Sequence, residues 1–143
     1  MEVDCLVEAK WIIPVEPAET VLHQHAIAID KGIILDLLPA CQARLQYQPR
    51  QFVTLNSHVI IPGLVNLHTH AAMSLMRGMA DDLPLMEWLQ KHIWPAEAAH
   101  MSAQFVYDGT RLACAEMLKG GITCFNDMYF FPEAAAAAAA EFG

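Results

Sequence analysis

Pro62-Gly63-Leu64-Val65-Asn66-Leu67-His68-Thr69-His70 is the stretch whose reading decides the fold. Val59, Ile60 and Ile61 form an apolar run that Pro62 and Gly63 interrupt with a turn, and Leu64, Val65 and Leu67 then restart an apolar strand. Side chains of an extended strand alternate between faces, so His68 and His70 project the same way and can grip one ion. Both stand where a buried strand runs out, which is where α/β enzymes keep their chemistry. A solvated or hydrogen-bonded pair is the competing reading, but imidazoles at the end of a buried strand are poorly placed for packing alone. Catalytic zinc takes three protein ligands plus water, so at least one further ligand is required.

Other motifs follow in order. AAMSLMRGMADDLPLMEWL spans 71 to 89, IWPAEA spans 93 to 98 and GGITCFNDMYF spans 120 to 130. Together with PGLVNLHTH they resemble the amidohydrolase superfamily, and more narrowly the 5-methylthioadenosine/S-adenosylhomocysteine deaminases and their chlorohydrolase relatives. The likeness is specific from Pro62 to Phe130 and weak over the first 55 or so residues. It implies an α/β fold, a metal-dependent (β/α)₈ TIM barrel beside a small β-sandwich built from both chain ends. It also implies hydrolytic deamination at C6 of an adenine ring by metal-activated water, with one divalent ion, usually Zn²⁺, per subunit. His68 and His70 match the family's metal-binding pair. The remaining ligands, two histidines and an aspartate, and the glutamate that moves protons would lie beyond Gly143, so no catalytic residue is named within the chain.

The 143 residues, 55% hydrophobic and only 17% charged, can build a core and are not disordered. A net charge of −8, from 16 acidic against 8 basic residues, argues against nucleic acid or an anionic membrane as partner and favours a small neutral or cationic ligand. Met1-Glu2-Val3-Asp4 lacks the basic start of a secretory signal, and no apolar run approaches the ~20 residues of a membrane span. A soluble, cytoplasmic protein is predicted, and a homo-oligomer is compatible with this composition. Cys5, Cys41, Cys114 and Cys124 are scattered without a CxxC pair and read as small apolar residues.

In chain order, residues 3–13 read as a strand and 14–17 as a loop. Val21 to Ile29 alternates, turns at Asp30-Lys31-Gly32 and returns through Ile33 to Leu38 as a β-hairpin. His23 and His25 repeat the two-apart spacing inside this hairpin without a Pro-Gly turn, and read as solvent-facing strand residues. Residues 39–47 suit a short helix, and 51–55 a strand that turns at Asn56 and Ser57. Residues 1–61 are therefore predicted to be mainly antiparallel β, the first half of the sandwich domain, and 62–143 the start of the barrel.

After His70 the rhythm changes to helices between buried strands. Residues 71–79 read as a helix, Leu85 to Ile93 as a second with Met86, Leu89 and Ile93 on one stripe, and Trp94-Pro95 as a break. From the N-cap Ser102 to Lys119, Phe105, Val106, Gly109, Leu112, Ala113 and Met117 recur with helical period, closed by Gly120-Gly121. Ile122 to Phe125 is a second buried strand, and Pro132 opens a helix through seven alanines. A (β/α)₈ barrel takes about 250 residues, so the roughly 80 from Leu64 supply about two of its eight units and the chain reads as truncated. Apolar edges are then expected to be left unburied.

Glu97, in IWPAEA, offers two acceptor oxygens matched to a vicinal diol, and the resemblance gives it the ribose hydroxyls. The competing reading is an exposed helix glutamate. Trp88 resembles the tryptophan that lines the nucleoside pocket, against a core role on the Leu85, Trp88, Leu89 face. Arg77, Asp81 and Asp82 are expected to shape a loop over the pocket, His92 and His100 to lie on helix surfaces, and Asp127 has no assigned role. Three functions remain open: a zinc deaminase of adenine nucleosides, a sibling guanine or triazine deaminase or chlorohydrolase, and a non-catalytic fragment or interaction module.

Overall fold

Strands β1 (Glu2–Ile12), β2 (Leu22–Asp30), β3 (Ile33–Pro39) and β4 (Gln48–Ile60) form one sheet in the order β3-β2-β1-β4. The computed structural model describes residues 1–143, in two units, Met1–Pro62 and Gly63–Gly143. In the first unit β1 pairs antiparallel with β2, and β2 with β3, as the hairpin signal requires. Helix α1 (Ala40–Gln46) then carries the chain across, so β4 runs parallel to β1. The mainly antiparallel expectation holds for two of the three pairings, and β4 departs from it because a helical crossover returns the next strand in the same direction.

The strand predicted over 51–55 is also longer. Asn56 and Ser57 lie inside β4, where Ala9 pairs with Leu55 but Trp11 with Val59, so two extra residues bulge from the strand and produce the local turn signal. Leu6, Ala26, Ala28, Leu38, Ala43 and Tyr47 form the core of this unit. Arg44 of α1 clamps the buried Glu8 carboxylate with two hydrogen bonds of 2.6 and 2.5 Å, satisfying a charge inside the sheet.

The second unit is organised by β5 (Leu64–Thr69) and β6 (Ile122–Asp127), paired in parallel. Between them lie a 3₁₀ turn (Ala71–Met76), α2 (Leu85–Trp88), a π turn (Leu89–Ile93), α3 (Trp94–His100) and α4 (Ala103–Lys119), with α5 (Pro132–Ala140) after β6. Ser102 caps α4, its hydroxyl accepting from the Phe105 amide at 3.1 Å. The buried face of α4 is Val106, Gly109, Thr110, Ala113 and Cys114, whereas Leu112 is 40% exposed, rotated off the expected stripe.

Three further expectations change. Residues 71–76 tighten into 3₁₀ geometry. Trp94-Pro95 does not break the helix: Pro95 sits in the first turn of α3, and the wider π turn before it absorbs the missing amide and the bulk of the ring. Met86 is 53% exposed while Ile93 is 2% exposed, because the π turn shifts the register between them. As expected of a piece with only two β/α units, the apolar strand β5 is open on the surface, with Leu64, Val65 and Leu67 at 50%, 57% and 75% exposure, since a two-stranded sheet cannot cover its own faces.

Two glycines are fixed by close approach. A Cβ on Gly63 would fall on the Thr123 side chain. A Cβ on Gly109 would lie 2.6 Å from the Ala72 carbonyl oxygen and 2.8 Å from its Cα, so α4 and the turn after His70 touch backbone to backbone. Gly109→Ala should therefore cost about 1–3 kcal/mol in urea unfolding. Gly120→Ala, whose Cβ would meet Met117 O at 3.4 Å without a positive φ, should cost much less; equal losses would refute this packing.

Candidate metal and substrate site

Because β5 and β6 are parallel, both strands end on the same side, and the residues that follow them meet. The ladder slips by one residue here: Asn66 pairs with Phe125, but Thr69 with Asp127. Side-chain amides repair the gap, the Asn126 Nδ2 group donating to Leu67 O at 3.2 Å and the His68 amide donating to Asn66 Oδ1 at 3.2 Å. His68 lies within this slip and His70 just beyond it, with ring centroids 5.2 Å apart in an edge-on arrangement. His68 is exposed and His70 half-buried.

His70 is held at several points. Its Nδ1–H donates to the Met128 carbonyl at 2.6 Å, its own carbonyl accepts from the Met73 amide at 2.9 Å, and the next amide, Ala71, donates to Asp127 Oδ1 at 2.9 Å. Asp127 therefore has a positioning role that its sequence context did not reveal. Fixing the proton on Nδ1 leaves the Nε2 lone pair free, the state a metal-binding imidazole needs. The donor chemistry fits a divalent metal, although no cluster of three His, Cys, Asp or Glu side chains forms within the chain.

Next to His70 opens a cavity of about 530 Å³, lined by Trp88, Glu97, Met128, Tyr129 and apolar residues that include Leu89 and Ile93. Three sequence-selected residues, His70, Trp88 and Glu97, thus line one cavity, and the His68 ring lies beside that of His70. Trp88 is half-buried on the cavity and not in the core. Glu97 lies in the first turn of α3 and accepts a 2.6 Å hydrogen bond from the Tyr129 hydroxyl. Arg77 instead pairs with Glu116 of α4 through bonds of 3.0 and 2.6 Å, tying down the loop. His92 is half-buried and His100 exposed. His23 of β2 is exposed and its carbonyl meets His25 Nδ1 at 2.8 Å.

Tyr129 was not singled out from the sequence, because its partner lies 32 residues away and no local pattern announces the contact. Its ring is 5.8 Å from that of His70, and Phe131 follows in the left-handed region at φ 49°, a conformation a bulky side chain adopts only when its surroundings impose it. Burial first, and then the hydrogen bond to Glu97, pushes the Tyr129 phenol far above its ordinary range.

Residues 59–143 match the amidohydrolase family. A 5-methylthioadenosine/S-adenosylhomocysteine deaminase of Saccharophagus degradans is 53% identical over 140 residues, covering 98% of this chain and 31% of the relative. A 5′-deoxyadenosine deaminase of Methanosarcina mazei is 41% identical over 135 residues, covering 94% of this chain and 30% of the relative. Among solved structures, an adenosine deaminase from Xanthomonas campestris with bound zinc is 50% identical, with a TM-score of 0.95, over 98% of this chain and 32% of that one. An atrazine chlorohydrolase from Arthrobacter aurescens, complexed with zinc, shares the fold at 21% identity and a TM-score of 0.83, covering 96% of this chain and 33% of that one. The chain spans about a third of the length of these relatives.

A raised phenol pKa gives a pH dependence of defined sign. The unfolded chain ionises near pH 10, so Tyr129's contribution to stability is full below that and declines as pH rises toward the folded-state value. In NMR titration of ring-labelled tyrosine, Tyr129 should ionise at lower pH in Glu97→Gln than in the unsubstituted protein, since the anionic neighbour is gone. An unchanged titration would contradict the contact.

Proposed function

This chain belongs to the amidohydrolase family, and from that premise we propose that it carries part of a zinc-dependent deaminase that hydrolyses adenine nucleosides, 5-methylthioadenosine and S-adenosylhomocysteine foremost, to the inosyl product and ammonia. The observation that supports the reading is that His70, Trp88 and Glu97 line one cavity, with the His68 ring 5.2 Å from that of His70.

His68 and His70 would hold the divalent ion through ring nitrogens, His70 through the Nε2 left free by its bond to Met128 O. When bound, a zinc ion would supply Lewis-acid activation of water toward C6 of the adenine. Glu97 accepts hydrogen bonds from the two ribose hydroxyls and fixes the base relative to the histidines, which is the orientation part of catalysis. Trp88 offers an indole face, and Leu89 and Ile93 keep that side of the site dry. Names of the relatives support the substrate class, and two of them act on 5′-modified adenosines by name. The remaining ligands and the proton-transfer carboxylate are expected outside residues 1–143.

No helix is long and apolar enough to cross a membrane. Four free thiols suit a reducing compartment, and we place the protein in the cytoplasm.

The full-length protein should release ammonia from 5-methylthioadenosine, lose that activity to a zinc chelator and regain it with Zn²⁺. Glu97→Gln should raise KM for the nucleoside about 10- to 100-fold, the loss expected for hydrogen bonds to a charged group, with little effect on free adenine. Equal effects on both substrates would sink the ribose role. His68→Ala and His70→Ala should each lower zinc content.

A further inference from the structure

We infer that Tyr129 is a positioning residue for Glu97, and that the dipeptide Met128-Tyr129 sets the spacing between the metal-side histidine and the diol-side carboxylate. The inference rests on the ribose role proposed above for Glu97. Two consecutive residues after β6 reach both halves of the site: the Met128 carbonyl accepts from His70 Nδ1 at 2.6 Å, and the Tyr129 hydroxyl donates to Glu97 Oε1 at 2.6 Å. His70 follows β5 and Glu97 lies on α3, so without this dipeptide no hydrogen bond links them.

The chemistry of the contact favours positioning. A phenol has one hydrogen to give, and a carboxylate oxygen has two lone pairs, so Tyr129 fixes the Glu97 rotamer while leaving Oε2 and the second lone pair of Oε1 for a diol. A free glutamate in a wide cavity samples several rotamers and loses that freedom when substrate binds. Tyr129 restricts it beforehand. The backbone supports this arrangement: the Met128 amide donates to Thr69 O at 3.1 Å, and two residues after Tyr129 the left-handed Phe131 leads into Pro132 and α5. The tyrosine ring itself packs against the Ala72, Val106, Ala135 cluster. Its hydroxyl is therefore delivered by a rigid segment, not by a mobile loop side chain.

The test is a double-mutant cycle in the zinc-loaded, full-length protein with Tyr129→Phe, Glu97→Gln and both. Substrates are 5-methylthioadenosine and its 2′,3′-dideoxy analogue. Tyr129→Phe should raise KM for the diol substrate about tenfold, change kcat less than threefold, leave KM for the dideoxy analogue unchanged and keep zinc content. Added to Glu97→Gln it should have almost no further effect, because both act through one carboxylate. Additive effects, equal effects on both substrates, or loss of zinc would overturn the inference. If Glu97→Gln itself shows no diol selectivity, the nucleoside reading falls and the inference with it; if only Tyr129→Phe fails, the inference falls alone. Should Tyr129→Phe not fold, 4-aminophenylalanine at position 129 keeps the ring and a hydrogen-bond donor at its tip. KM for the diol substrate must then stay within about threefold of the unsubstituted protein, and a tenfold rise counts against the role.

Discussion

Parallel pairing of β5 with β6 is the constraint on which the site depends. Two strands that run the same way end on the same side, so residues 58 positions apart, His70 and Met128, can share a hydrogen bond. The pairing also forces a long crossover between the strands, and that crossover delivers α3 with Glu97 and α2 with Trp88 to the same cavity. Gly109 lets the first turn of the crossover lie against α4 closely enough to keep His70 in place. An antiparallel pair would put the ends of the two strands at opposite sides, separating the histidines from Asp127 and Tyr129.

The local irregularities serve the same end. A one-residue slip in the β5–β6 ladder would leave backbone groups unpaired, yet Asn66 and Asn126 satisfy them with side-chain amides. The π turn before Pro95 lets one helical run pass a proline, so Glu97 stays on the cavity wall. Each device costs regularity and occurs beside the proposed chemistry, which is where departures from local rules are expected.

Much of this was legible in the sequence for stated reasons. The histidine pair was readable because strand periodicity and the Pro-Gly turn are local signals, and Ser102, Gly120 and Pro132 marked helix ends for the same reason. Glu97 and Trp88 were readable only through motif likeness, since neither carboxylate nor indole shows by itself what it faces. Tyr129 was missed, and Asp127 was named without a role, because their partners, Glu97 and the Ala71 amide, come from distant positions. The parallel β4 was missed because hairpin signals dominate the first unit, and the bulge at Asn56-Ser57 looks locally like a turn. Leu67 shows how two signals combine: the apolar pattern marks a strand built for burial, but burial needs neighbouring strands or helices over it, and in a two-stranded sheet it is 75% exposed, as the count of β/α units leads one to expect.

The claim that one site joins a metal end to a ribose end is tested most directly by diffraction. Crystals of the full-length protein, loaded with zinc and soaked with the inosyl product of 5-methylthioadenosine, would be measured at the zinc absorption edge. An anomalous peak bounded by His68 and His70, with the ribose hydroxyls on the Glu97 carboxylate, is the result the account requires. A peak away from these histidines, or a ribose turned from Glu97 with the base still in the cavity, would contradict it.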